Sequence, residues 1–163
     1  MGTLDPSVSG VQVRVADAGG ALLDVFVPGA SAGLPCGSGD GWTVSGTRFS
    51  YANRSGALPP LCTAGTARGL SSLRITDDRA GASAALLYRI AGKNVPIAGG
   101  LASPARFVQL DLAFGEPPAP GQPSAAGAAG VCAESVQRVG AQGTKCKITQ
   151  KDGVVSRLQC TGP

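Results

Sequence analysis

Apolar residues in this chain recur at every second position in short runs, and nearly every run stops at glycine, proline, asparagine or aspartate. Val11, Val13 and Val15 alternate with Gln12 and Arg14. Leu23, Val25 and Val27 follow the turn residues Asp17, Gly19 and Gly20. Phe49 and Tyr51 follow Thr47 in alternation with Arg48 and Ser50, Leu73 and Ile75 flank Arg74, and Val108, Leu110, Leu112 and Phe114 alternate with Gln109, Asp111 and Ala113. Leu86–Ile90 is a short apolar run. A period of two lines one face of a strand. With 25 Gly and 12 Pro among 163 residues, no window sustains a helical period. Six or seven strands are expected between Val11 and Phe114. One sheet of that size would leave an apolar face wet, whereas two packed face to face bury both. The expected fold is therefore all-β, an antiparallel β-sandwich, with a β-barrel as the runner-up. Val11–Phe26 and Leu73–Ile90 echo one another as strand, acidic turn, strand, which two hairpins of one sandwich explain.

The pattern breaks at Glu116–Gly130, EPPAPGQPSAAGAAG, which is proline-rich and then alanine- and glycine-rich. Such composition builds no core and is expected to be a semi-extended linker. The expected organisation is a β-sandwich over 1–115, this linker over 116–130, and a cysteine-containing tail over 131–163. In the tail, Lys151-Asp-Gly153 lies between two alternating runs, a strong hairpin signal. So small a unit needs a staple or a surface to pack on, and it is expected to pack on the main domain.

The five cysteines, Cys36, Cys62, Cys132, Cys146 and Cys160, include no C-x-x-C pair. The chain has no histidine, which removes the commonest metal ligand and general base. A zinc site is thus disfavoured and a disulfide framework expected, in an oxidising compartment. A hairpin centred on Gly153 sets Cys146 opposite Cys160, within disulfide reach. Cys36 and Cys62 lie in loops bracketing a Trp42–Tyr51 strand, and a bridge there would stabilise by about 3 kcal/mol on the chain-entropy model. Cys132 is left as an intermolecular thiol, a buried free thiol, or a pin between tail and main domain.

No catalytic constellation emerges. There is no S-x-x-K or G-x-S-x-G string, and the glutamates are Glu116 in the linker and Glu134 in the tail. Asp77-Asp78 with Asp40 or Asp17 could offer oxygen to calcium, but turn aspartates ordinarily cap backbone groups. No metal or cofactor is expected, and the chain is not expected to be an enzyme. The net charge of +4 is spread along the sequence without aromatic interleaving, so no nucleic-acid surface is expected. No segment is long and apolar enough to span a membrane. Trp42 and Tyr51, with Phe49, are either core residues or a sugar-binding aromatic platform. Asn53-Arg-Ser55 is a glycosylation sequon.

Three strings, Asp5-Pro-Ser-Val-Ser-Gly-Val-Gln-Val-Arg-Val15, Trp42-Thr-Val-Ser-Gly-Thr-Arg-Phe-Ser-Tyr51 and Val131-Cys-Ala-Glu134, resemble β-rich domains of uncharacterised exported bacterial proteins, where such elements recur in this order. The resemblance implies an exported β-sandwich, as one unit of a longer chain, and carries no activity with it. The expected function is a non-catalytic structural or interaction module, secreted or at the cell surface. It would bind a protein partner or itself through sheet edges, with Lys145, Lys147, Arg14 and Arg74 tuning that contact, or through Cys132. The alternative is a carbohydrate-binding module that meets polysaccharide through Trp42 and Tyr51.

Overall fold

The alternation at Val11–Val15 has a direct structural consequence. In β1 (Val11–Asp17) the three valines are fully buried and Arg14 is exposed. The computed structural model describes residues 4–17, 20–30, 33–80, 86–95, 107–115, 132–138, 145–151 and 154–162. The chain enters β1 through a single helical turn, α1 (Pro6–Ser9). Asp5 caps it by accepting from the Ser7 amide at 3.0 Å, and Pro6 starts the turn.

The remaining strands are β2 (Gly20–Val27), β3 (Gly41–Ser45), β4 (Arg48–Ala52), β5 (Ala57–Leu58), β6 (Thr63–Ala64), β7 (Leu70–Asp77), β8 (Leu86–Val95), β9 (Phe107–Phe114), β10 (Cys132–Arg138), β11 (Lys145–Lys151) and β12 (Val154–Gly162). All pairings among them are antiparallel, so the chain is all-β. One sheet runs β10-β9-β1-β2, a larger one runs β11-β12-β8-β7-β4-β3, and β5 pairs with β6. No helix of the described residues is long and apolar enough to cross a membrane.

The stretch Trp42–Tyr51, expected as one strand, is two. β3 folds back on β4 through Gly46-Thr47, with Gly46 at φ +58°. That is the first central position of the turn, where a II′ hairpin calls for glycine. The echoing segments are both antiparallel pairs, but in different sheets: β1 with β2, and β7 with β8.

One core cluster draws on both sheets. Val11, Val13, Val15, Leu23 and Val25 come from the smaller sheet, and Phe49, Tyr51, Leu73, Ile75 and Ile90 from the larger. Register aligns the larger sheet's contribution in rows, Val44–Phe49–Ile75–Tyr88 and Trp42–Tyr51–Leu73–Ile90. Between β7 and β8 the backbones come unusually close. Gly69 sits at φ +81°, accepts from the Lys93 amide at 2.7 Å, and has no room for a β-carbon beside the Lys93 carbonyl.

Further along, β10 pairs with β9, and β12 pairs with β8 and β11. The β11–β12 register sets Cys146 opposite Cys160. The expected linker, 116–130, and the turn residues Asp152 and Gly153 lie outside the described residues.

Candidate functional site

The loop that leaves β2 must cross to the edge of the larger sheet, and a cavity of about 310 Å³ opens beneath that crossing. Pro28, Gly29, Leu34 and Pro35 form one wall, and Trp42 and Tyr51 form the other. The Trp42 indole N–H donates to the Pro28 carbonyl at 2.9 Å, tying β3 to the loop. The two rings lie 5.2 Å apart, tilted by 52°. Tyr51 is buried and Trp42 half-buried, so the pair forms an inner corner of the cavity and not a flat exposed platform. Phe49, on the same face of β4, is core.

A disulfide between Cys36 and Cys62 joins the cavity loop to the β5–β6 turn, with the Cα atoms 5.2 Å apart. Cys36 itself lines the cavity. Each half of the bridge carries an outward leucine nearby, Leu34 at 86% and Leu61 at 82% exposure. Cys132 stands opposite Ala113 in the β10–β9 register.

The polar side chains around the cavity already serve the fold. Asp40 accepts from the Arg54 amide at 2.6 Å, from the Ser55 amide at 3.3 Å and from Ser55 Oγ. Burial alone would raise its pKa. The Ser55 hydroxyl, the two amides and the charge of Arg54 together outweigh that and hold the carboxyl below its ordinary value. Burial pushes the Tyr51 phenol up, against the opposing effect of the Asn53 amide and with some help from the charge of Asp40. Ser7 Oγ donates to Asp5.

Asn53, the sequon asparagine, is only 5% exposed. Its Nδ2 donates to the Ala57 carbonyl at 2.7 Å and to Tyr51 Oη at 3.2 Å, while Oδ1 accepts from the Gly56 amide at 2.8 Å. It organises the turn behind the cavity and is not presented as a glycan acceptor. The signal in the sequence was Gly56, three residues on, which permits a side-chain-capped turn.

The aspartates weighed for calcium are also engaged. Asp77 takes a fork from Arg79 at 2.7 and 2.8 Å. That hydrogen bond, helped by the Arg79 amide and charge and opposed by burial, lowers its pKa. The side chain of Asp17 lies outside the described residues. Among the described residues no three histidine, cysteine, aspartate or glutamate side chains come together.

No known protein family, curated protein or solved structure matches the chain.

Proposed function

We propose that this chain is a non-catalytic structural or interaction module of a secreted or cell-surface protein. It is an antiparallel β-sandwich finished by a C-terminal β-hairpin, and it meets a second copy of itself through the open edge of its larger sheet. The observation that carries this is β3. Among the edge strands, β2 contains Asp24, β10 contains Glu134 and Arg138, and β11 contains Lys145, Lys147 and Lys151. Such charges are the ordinary guard against strand addition. β3, Gly41-Trp-Thr-Val-Ser45, has none, and Thr43, Val44 and Ser45 are exposed. Val44 ends an otherwise buried row of the core face while itself 50% exposed. A two-fold pairing centred on Thr43 sets threonine against threonine and Trp42 against Val44 of the second copy. Pairs of those kinds contribute roughly 0.2–1 kcal/mol each. The Cys36–Cys62 bridge is compatible with an oxidising compartment, and Cys132 offers a covalent second route.

Sedimentation at rising concentration, with and without reductant, tests this. The mass should rise reversibly, Thr43→Lys should stay monomeric, and mixing Thr43→Lys with Thr43→Glu should restore the dimer. A reductant-sensitive dimer lost in Cys132→Ser moves the interface to that thiol. A monomer at every concentration overturns self-association.

One observation favours a second function, carbohydrate binding: Trp42 and Tyr51 share one cavity. Trp42 is the chain's single tryptophan, so its emission reports on that cavity alone. Soluble glycans should shift the emission if the cavity holds a sugar, and an unchanged spectrum removes this function.

A further inference from the structure

Strand pairing gathers cations that the sequence scatters. Register sets Arg74 of β7 directly opposite Arg89 of β8. Alternation places Arg48 of β4 and Lys93 of β8 on the same outer face of the larger sheet, and all four are exposed. The backbone register continues the theme, with Arg157 opposite Lys93. None of the outward positions of β3, β4, β7 and β8 carries a carboxylate. Like charges directly opposite on one face of an antiparallel pair repel. The smaller sheet shows the usual remedy, since Arg14 stands in register between Asp24 and Asp111. Arg74 and Arg89 have no acid at the neighbouring outward positions of the described strands.

We propose that this face binds an anionic polysaccharide, a linear sugar polymer bearing carboxylate or sulfate groups, at a site separate from the Trp42 cavity and independent of pairing at β3. Guanidinium forks match planar carboxylates and sulfate oxygens in two-point contacts. The hydroxyls of Thr43, Ser50, Ser72 and Thr76 lie among the cations on the same face and suit the hydroxyls of a sugar. No aromatic residue occupies an outward position there, so bases of a single strand find no stacking platform. Among the described residues no helix lies on that face to enter the major groove of a duplex.

The test is elution of the full chain from immobilised heparin in a salt gradient, with titration of a heparin oligosaccharide in solution. Wild type should be retained at low salt and bind more weakly as salt rises. Arg74→Ser/Arg89→Ser should lose about tenfold in affinity without a fall in melting temperature, since it removes a repelling pair, and Lys93→Ser alone should also elute earlier. Arg14→Ser/Arg68→Ser removes the same net charge elsewhere and should elute close to wild type. Flow-through of wild type, or equal losses in the two double variants, overturns the proposal. Binding to duplex DNA or poly(dT) as tight as to heparin at matched salt overturns the assignment to polysaccharide.

Discussion

Asn53 shows how much one side chain can do when every polar atom is used. It is buried, and it satisfies the Gly56 amide, the Ala57 carbonyl and the Tyr51 hydroxyl at once. Asn53→Ala leaves those groups short of partners in a site water reaches poorly, which should cost about 2–3 kcal/mol. Urea unfolding should show this as a lower midpoint with an unchanged slope, and an unchanged midpoint would mean the turn is held by other contacts. Asp40 acts nearby through charge. Its folded pKa lies below the ordinary 3.8, so between the two values the unfolded chain binds more protons than the native one. Its contribution is therefore complete above about pH 5 and is lost as pH falls from about 4 through the depressed value. Asp77 acts in the same direction. The urea midpoint should fall below pH 4 in wild type and fall less in Asp40→Asn, whose residue 40 does not titrate. Only part of this was legible in the sequence. Asn53 carried the pattern of a sequon, with Gly56 three residues on as the one local sign of its turn, whereas Asp40 carried that of an ordinary turn aspartate, because Arg54 and Ser55 reach it through a fold-back of the chain that no local pattern encodes.

At the scale of elements, the entry to β7 runs so close to the end of β8 that only glycine fits. A β-carbon on Gly69 would stand 2.5 Å from the Lys93 carbonyl oxygen and 2.9 Å from Val95 Cα, on a backbone already at φ +81°. Gly69→Ala should therefore cost about 2–3 kcal/mol, through strain at the positive φ and a forced separation of the two strands. A thermal melt within a degree of wild type would show that the close approach can relax. The strands that alternate cleanly, such as β1, β2, β4 and β7, were legible because one face of each is core, and burial imposes the period of two. β3 was not separable from β4, since only Gly46 marks the turn and β3 buries too little to impose a pattern of its own. The cavity was half legible. Trp42 and Tyr51 stood out as aromatics, but their inward tilt depends on the bond from the indole to Pro28, fourteen positions away.

For the whole molecule, the decisive feature is that both sheets feed one core cluster. Alternation in the strands required a second apolar layer without saying which strands would supply it. β1 and β2 belong to one sheet, and β4, β7 and β8 to the other, and residues of both enter the cluster. If that core is continuous, a cavity cut into the smaller sheet must weaken the larger one equally. Val13, fully buried in β1, is the residue with which to ask. Val13→Ala removes two methyl groups from a packed interior and should cost about 2 kcal/mol, which lowers the melting temperature by about 4–8 °C for a chain of this size. Trp42 lies on the edge strand of the larger sheet with its indole bound to Pro28, just past β2, so its emission follows the seam at which the larger sheet meets the loop from the smaller one. Melts followed by Trp42 emission and by far-ultraviolet circular dichroism should coincide in wild type and shift together in the variant. A Trp42 transition that stays put while the dichroism transition moves would show that the two sheets unfold separately. The valines of β1 would then stabilise only the sheet to which they belong.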